Sequence, residues 1–197
     1  MGKIVYIMGK SSTGKDTIFK ELLKNNEYSL VTLVSYTTRP IRTGERNGVE
    51  YFFVDEEGFQ EMKRRGIVIE DRCYNSAHGP WRYFTADDGR IDLSNNYITI
   101  GTIESYVKLR DYFGKDRLIP VLVELNDADR LQRALNREKK QKNPKFEEMC
   151  RRFLADSADF SEEKIREAGI TARFENINLR QCLDSIRAYI AEEMNGR

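Results

Sequence analysis

A glycine-rich run near the start of the chain has the residue types and the spacing to bind a phosphate group. Gly9 and Gly14 are separated by four residues, and Lys15 follows directly. This is the spacing of a P-loop, in which backbone N–H groups surround an anion and the lysine reaches the outer phosphates of a nucleotide. Ser11, Ser12, Thr13 and Gly14 are all small, which lets the backbone approach a ligand closely. An ordinary glycine-containing turn between a strand and a helix would have no use for a lysine here.

The residues after the lysine depart from the usual P-loop pattern. That pattern continues with Ser or Thr, whose hydroxyl binds Mg²⁺. This chain instead has Asp16 first and Thr17 second. A carboxylate could bind a hard cation directly, or it could stabilise the start of the helix by its charge. The sequence leaves both roles open, so a magnesium site at Asp16 and Thr17 is a hypothesis.

A second group of phosphate-binding residue types lies in and just after the polar segment 35–48. Arg39 and Arg42 carry planar guanidinium groups that bind phosphate in a bidentate manner, and the Tyr51 hydroxyl is a further donor. The dianionic phosphate of a nucleoside monophosphate would suit these donors. The alternative is that the arginines only solvate a polar loop. Their position beside a P-loop favours the ligand role.

These two segments together resemble the guanylate kinases. The resemblance is carried by the P-loop and by Ser35-Tyr36-Thr37-Thr38-Arg39-Pro40, Arg42, Gly44-Glu45, Gly48 and Tyr51. It extends over most of the chain and weakens between about residues 73 and 105. The resemblance implies Mg²⁺-dependent transfer of a phosphoryl group from ATP to GMP, giving ADP and GDP.

The resemblance also implies roles for individual residues. The ATP-binding residues would be Gly9, Lys10, Ser11, Ser12, Thr13, Gly14, Lys15, Asp16, Thr17 and, beside the adenine, Asn176. The GMP-binding residues would be Ser35, Arg39, Arg42, Tyr51, Glu70, Tyr83 and Thr85. Glu70 would accept the N1–H and N2–H donors of guanine, and the Ser35 hydroxyl would bond O6. The catalytic residues would be Lys15, Arg39, Arg137 and Arg152.

Several positions depart from the family pattern. The segment from Glu70 to Tyr83 is longer than the family spacing by about four residues, with the run 77–81 as the expected addition, and Phe84 stands where the family has glycine. The two aspartates that the family uses near the metal and the guanine amino group fall on Thr99 and Gly101. The missing carboxylate could come from Asp16 or from Glu104. The single histidine and the single tryptophan, His78 and Trp81, are expected to be structural or exposed, with Trp81 packing the added loop.

Two rival functions remain open at this point. A P-loop reading Gly-Lys-Asp also resembles the ribose bisphosphate kinases of phosphonate metabolism, so the acceptor could be another nucleoside monophosphate or a ribose phosphate. The second rival is a guanylate-kinase-like binding module that recognises phosphorylated peptides and catalyses nothing. The presence of Lys15 argues against this module, because its known members have lost the P-loop lysine context.

The composition limits the remaining function classes. The 197 residues suffice for one α/β domain with a small insertion. With 33 Lys+Arg against 32 Asp+Glu, the net charge of +1 gives no global field for a nucleic acid or a membrane surface. The cysteines are three and widely spaced, and no apolar stretch approaches the ~20 residues that span a bilayer. We therefore expect a cytoplasmic protein with small-molecule substrates, and the oligomeric state stays open.

The elements that must position these residues follow from hydrophobic periodicity. Predicted strands cover residues 4–8, 29–34, 51–54, 67–69, 96–100 and 118–125, the third of them antiparallel and the last starting near Pro120. Predicted helices cover residues 16–25, 55–66, 103–113 and 127–137, one that begins at 145 with a stripe of Phe146, Met149, Cys150 and Phe153, and a final helix capped by Asn178. That final helix should bury Leu179, Leu183, Ile186 and Ile190.

The alternation of strands and helices predicts an α/β fold, a three-layer P-loop kinase sandwich with a parallel sheet and helices on both faces. The core would comprise residues 1–34, 92–137 and 165–197. Residues 35–91 would form a small inserted α+β lobe that binds the acceptor. The charged connector and the start of the next helix, about 138–152, would form a lid over the phosphates, the alternative being a charged helix hairpin.

Overall fold

The strand that precedes the P-loop lies at the centre of a parallel sheet. The computed structural model describes residues 2–25, 27–76 and 79–196. In these ranges the strands are β1 Ile4–Met8, β2 Val31–Thr32, β3 Tyr36–Thr37, β4 Phe52–Phe53, β5 Val68–Ser76, β6 Gly79–Ala86, β7 Tyr97–Gly101, β8 Leu118–Glu124 and β9 Arg173–Glu175. Five of them form a parallel sheet in the order β2-β7-β1-β8-β9.

The helices cover both faces of this sheet, which confirms the predicted α/β fold. They are α1 Lys15–Lys24, α2 Glu56–Arg64, α3 Ile103–Phe113, α4 Asp127–Lys139, α5 Phe146–Asp159, α6 Glu162–Glu167 and α7 Leu179–Met194. Alternate residues of β1 enter two separate apolar clusters, with Tyr6 on the side of α3 and Ile7 on the side of α1 and α7. A strand that is apolar at every position is buried on both faces, which fixes β1 at the centre.

A second sheet, in the order β4-β3-β6-β5, forms within residues 36–86. Its own small core contains Tyr36, Phe59 and Phe84, with Phe84 fully buried and stacked on Tyr36 at 5.1 Å between ring centroids. The phenylalanine that replaces a family glycine therefore fills the interior of this lobe. The division into core, lobe and lid remains a prediction.

Two predicted strands were wrong in detail. The strand predicted at 51–54 as antiparallel is β4, which runs parallel to β3. Residues 38–51 are long enough to form the crossover that a parallel pair needs. The brief strand predicted at 67–69 extends to Ser76, because the added residues lengthen the β5–β6 hairpin. Trp81 accordingly lies in β6 opposite Tyr74, and not in an added loop, while His78 lies outside the described residues.

Pro120 lies inside β8 and not at its start. The backbone N–H of Leu122 donates to Ala172 on the β9 side, and N–H groups alternate along a strand, so the missing N–H of Pro120 also faces that side. The pairing of β8 with β9 begins only at Leu122, so no ladder bond is lost at the proline. Leu179 was also predicted wrongly as buried: it is 38% exposed, and Cys182 occupies the core position.

None of the described helices is long and apolar enough to cross a bilayer. The cysteines are all free, with Cys182 buried in the core and the other two exposed.

Candidate active site

The P-loop has a backbone conformation that only glycine adopts without strain at its two ends. Gly9 has φ +152°, and a Cβ atom there would lie 2.3 Å from the carbonyl oxygen of Val123. Gly14 has φ +93° and immediately precedes α1, whose first residue is Lys15. The loop thus joins the carboxyl end of the central strand to a helix N-terminus, whose free N–H groups and dipole attract an anion.

The side chain of Asn176 binds the backbone of this loop. Its side-chain amide donates to the carbonyl of Thr13 at 2.7 Å, and only 3% of the residue is exposed. Arg133 in turn donates to the backbone carbonyl of Asn176 at 3.0 Å. The amide nitrogen of Asn176 is therefore committed to the loop, and the contact with adenine stays a prediction.

A buried ion-pair network that the sequence did not reveal also holds the loop. Arg130 is fully buried and donates to the carbonyl of Ser11 at 3.1 Å and to Asp156 at 3.1 Å, besides its pair with Asp127. Asp156 accepts the backbone N–H of Ser11 at 2.7 Å. Arg130 lies on α4 and Asp156 on α5, so both helices are anchored to the phosphate-binding loop. Only the spacing of Asp127 and Arg130 was visible beforehand, since nothing in the sequence links them to residue 156.

The oxygen atoms available for a cation at the P-loop are few. Asp16 lies in the first turn of α1 with its side chain 74% exposed, and its carboxylate is 3.8 Å from the Lys15 ammonium. Thr17 is also exposed. Among the described residues no group of three or more metal-binding side chains occurs. One carboxylate and one hydroxyl still fit Mg²⁺, which usually takes one or two protein ligands together with waters and substrate phosphates.

Arg39 forms the centre of the predicted acceptor-phosphate site. It is 4% exposed and donates to both carboxylate oxygens of Glu45, at 2.7 and 2.6 Å. Its guanidinium lies 5.2 Å from the centroid of the Tyr51 ring, and the Tyr51 and Tyr83 rings meet edge to face at 5.6 Å. The structure therefore brings Arg39, Tyr51 and Tyr83 together. Burial raises the pKa of the Tyr51 phenol, so this group remains a proton donor at neutral pH.

Two further predicted acceptor-site residues, Arg42 and Ser35, form backbone hydrogen bonds. Arg42 is exposed, and its backbone N–H donates to Glu45 at 2.9 Å. Ser35 is half-buried and accepts the N–H of Phe52 through its carbonyl at 2.9 Å. The phosphate-binding role of Arg42 and the base-binding role of the Ser35 hydroxyl stay predictions.

The Arg39–Glu45 pair should make stability depend on acid pH. Hydrogen bonds from Arg39 lower the pKa of Glu45 from 4.5 to about 2. A carboxylate with a lowered pKa stabilises the fold above its ordinary pKa and loses that contribution as pH falls through the lower value. We expect Glu45→Gln to lower the free energy of unfolding at neutral pH, with a difference from wild type that shrinks between pH 4.5 and 2. Urea titrations across that range measure it, and a constant difference would contradict it.

Glu70 and Thr85 form a bonded pair on β5 and β6. The Thr85 hydroxyl donates to Glu70 at 2.9 Å, and the other Glu70 oxygen accepts Nε–H of Arg72 at 3.1 Å. The Glu70 side chain has no exposed surface, whereas that of Arg72 is 15% exposed. Arg72 was not singled out from the sequence, although its spacing of two residues from Glu70 places both on one face of a strand.

The two positions that lack the family aspartates have structural roles instead. The Thr99 hydroxyl donates to the carbonyl of Leu33 at 3.2 Å inside the main sheet. At Gly101 a Cβ atom would lie 1.8 Å from the hydroxyl oxygen of Tyr6, so this phenol occupies the space of a side chain. Glu104, the proposed substitute, is exposed and pairs with Lys108 at 2.9 Å.

The predicted lid arginines lie on the two helices that flank the charged connector. Arg137 is exposed and has no ion-pair partner among the described residues. Arg152 donates to Glu148 at 2.7 Å, as does Arg151, whose hydrogen bond contributes most to lowering the pKa of Glu148 to about 2. In the described structure no hydrogen bond joins Arg137 or Arg152 to Lys15 or Arg39, so their meeting around a phosphoryl group stays a prediction.

Comparison with known proteins gives one consistent family. The model of the family described as guanylate kinase matches residues 1–79. A guanylate kinase of Thermotoga maritima is 33% identical over 149 residues, which cover 64% of this chain and 72% of the relative. A guanylate kinase of Malacoplasma penetrans is 33% identical over 137 residues, which cover 70% of this chain and 58% of the relative.

Other matches are shorter or concern the fold. A guanylate kinase of Clostridioides difficile is 44% identical over 79 residues, so the chain spans only 38% of that relative's length. The crystal structure of guanylate kinase from Anaplasma phagocytophilum superposes with a TM-score of 0.60 at 22% identity, covering 98% of this chain and 87% of the other. This structural likeness concerns the arrangement of the helices and strands over nearly the whole chain.

Proposed function

The chain belongs to the guanylate kinase family, and we propose that it transfers the γ-phosphoryl group of ATP to GMP, giving ADP and GDP. The observation that carries the proposal is the presence of two separate groups of residues whose chemistry suits phosphate binding. One is the P-loop, with its glycine conformations and the helix that begins at Lys15. The other is the cluster of Arg39, Tyr51 and Tyr83 on the smaller sheet. The three free cysteines agree with a reducing, cytoplasmic location.

The proposed reaction needs charge stabilisation more than proton transfer. The P-loop amides and Lys15 would hold the outer phosphates of ATP, and Arg39 with the two phenols would hold the phosphate of the acceptor. Because the acceptor oxygen is already anionic, no side chain must act as a strong base. Arg137 and Arg152 would stabilise the charge on the transferring group, and the connector would exclude water from it.

Mg²⁺ belongs to the proposal, and Asp16 with Thr17 are the residues that would hold it. When bound, the ion would supply positive charge that neutralises the phosphate groups of the substrates. We expect Asp16→Asn to raise the Mg²⁺ concentration needed for half-maximal activity, with little change in the thermal midpoint because the side chain is 74% exposed. A magnesium titration of initial rates measures this, and an unaltered titration would leave only the helix-capping role.

Arg39 should contribute to binding of the acceptor nucleotide and not to binding of ATP. A charge-assisted hydrogen bond contributes about 1.5–3 kcal/mol, so Arg39→Ala should raise the KM for GMP roughly 10- to 150-fold while the KM for ATP stays nearly unchanged. Arg46→Ala is the matched control, since Arg46 is an exposed arginine of the same polar segment. Equal increases in both KM values would contradict the assignment of Arg39 to the acceptor.

The function itself is tested by a panel of acceptors. Coupled assays of ADP release with GMP, dGMP, AMP, UMP and ribose bisphosphate should give the highest kcat/KM with GMP or another purine monophosphate. Turnover of ribose bisphosphate alone would favour the rival kinase of the same scaffold. Two observations favour that rival: Glu70 is paired with Arg72, and Thr99 and Gly101 carry no carboxylate. If no acceptor led to ADP release, the non-catalytic binding module would be the remaining candidate function.

A further inference from the structure

A chain of polar contacts crosses the junction between the smaller sheet and the core. It begins at Thr85, passes through the carboxylate of Glu70 to the guanidinium of Arg72, and ends at the Thr102 hydroxyl, 3.4 Å from Arg72. Both oxygens of Glu70 accept hydrogen bonds from protein groups, and no part of the side chain is exposed. In this arrangement the carboxylate lies beneath the arginine and is closed to a ligand.

Arg72 is the charged group of this contact chain that remains accessible. It lines a cavity of about 720 Å³ together with Thr102 and Tyr74, and its side chain is 15% exposed. A guanidinium carries five N–H groups and accepts nothing, so after its bonds to Glu70 and Thr102 it still offers donors, and only donors, to the cavity.

The core side of the junction supplies no carboxylate at the two positions where the family has aspartates, Thr99 and Gly101. The hydroxyl of Tyr6 fills the space above Gly101 and donates to the carbonyl of Thr102 at 3.1 Å. Three acidic groups of the cavity wall are paired, Asp71 with Arg82 at 3.1 Å, Glu104 with Lys108 at 2.9 Å and Asp159 with Lys164 at 3.9 Å. The fourth, Glu167, is exposed and has no ion pair among the described residues. An exocyclic amino group of a ligand beside Arg72 would therefore find the Glu70 carboxylate already bonded and no carboxylate at Thr99 or Gly101.

We propose that Arg72 determines base specificity by donating to a ring carbonyl of the acceptor nucleotide, so that the site takes 6-oxopurine monophosphates as a class and does not read the 2-amino group. This rests on the proposed function. Guanine, hypoxanthine and xanthine all present an oxygen at C6, which a guanidinium bonds well. Adenine presents an amino group there, which would face the donors of Arg72 and leave them unpaired. Glu70 is then a positioning residue that orients Arg72.

The first test is the ratio of kcat/KM between substrates of the wild-type protein. IMP and XMP should be used within about tenfold of GMP, because no group of the site depends on the 2-amino substituent. AMP should be worse by about 10⁴-fold, the usual discrimination when buried polar groups lose their partner. A preference for GMP over IMP of about 10³-fold or more would overturn the inference, because it would require a carboxylate that reads the amino group.

Variants separate the role of Arg72 from that of Glu70. Arg72→Met should lower kcat/KM for GMP and IMP alike and narrow the gap to AMP at least tenfold. Glu70→Gln keeps the shape of the side chain and should change GMP and IMP by the same factor, since the residue acts only through Arg72. A selective loss of GMP in Glu70→Gln would overturn the inference. Arg64→Ala is the control, because it removes an exposed guanidinium from the same lobe.

Binding measurements keep this inference distinguishable from the proposed function. Trp81 is the single tryptophan and lies opposite Tyr74 in the β5–β6 pair, so its fluorescence can report titrations of GMP, IMP and AMP. Binding and turnover of GMP alone would overturn the role of Arg72 and leave the proposed function intact. Failure of every nucleoside monophosphate to bind or react would overturn both. Comparable quenching by GMP and IMP, lost in Arg72→Met but kept in Arg64→Ala, is the expected result.

Discussion

Arg137→Ala should lower kcat about 10³-fold or more while the protein stays folded, since one arginine at a transferring phosphoryl group contributes ~10³ to 10⁵ in rate. Arg137 is exposed and has no ion-pair partner in the described structure, so its removal breaks no ion pair there. In the proposed closure of the connector, this unpaired charge would meet the phosphates. Single-turnover rates and the thermal midpoint measure the two effects separately.

Arg151→Ala is the matched control for this prediction. Arg151 lies on α5 next to Arg152, and both arginines pair with Glu148. Arg151→Ala removes one positive charge from the hairpin, as Arg137→Ala does. It should leave kcat within about threefold, because exposed ion pairs contribute at most about 1 kcal/mol and no ligand role is assigned to it. If both variants lost activity to the same degree, the general positive charge of the hairpin would be responsible and not a positioned arginine.

The main sheet could be predicted because its signals are local. β1 is apolar at every position, and α1 follows a glycine motif, so the order and type of these elements are evident from the sequence. The smaller sheet was harder because β3 and β4 have two residues each, too few for any periodicity. Their parallel pairing depends on the path of residues 38–51, which hydrophobic patterning does not encode.

The candidate site also has a part that could be predicted from the sequence and a part that could not. The cluster of Arg39, Tyr51 and Tyr83 was predicted from residue types and the family resemblance, and the structure brings these residues together. Arg72 was missed because a family pattern directs attention to Glu70, and the pairing that buries that carboxylate is visible only in three dimensions. Arg130 and Asp156 were missed because they lie on different helices, 26 residues apart.

Arg130→Met should produce the largest loss of stability of the variants considered. Arg130 is fully buried, and its guanidinium bonds Ser11, Asp127 and Asp156. Asp127 is 57% exposed, but Asp156 is only 15% exposed, and removing the partner of a buried charge costs about 3–5 kcal/mol. For a chain of this size that corresponds to a thermal midpoint lower by roughly 6–20 °C, measured by calorimetry.

Arg173→Ala tests whether burial is the cause. Arg173 also bonds two carboxylates, Glu124 and Glu162, but its side chain is 38% exposed. The expected loss is therefore about 1 kcal/mol or less. Comparable shifts in the two variants would show that the burial of Arg130 adds nothing to its ion pairs.

The same arginine links stability to the donor site. The backbone N–H of Ser11 donates to Asp156 on α5, and the backbone carbonyl of Ser11 accepts from Arg130 on α4. Both backbone polar groups of this P-loop residue are therefore held by the two helices. Asp156→Asn retains an acceptor of similar shape and should raise the KM for ATP less than Arg130→Met does, with the KM for GMP little changed in either. Because the two residues share one network, the double variant should lose less stability than the sum of the single variants. Additive losses would mean that the helices and the loop are held independently.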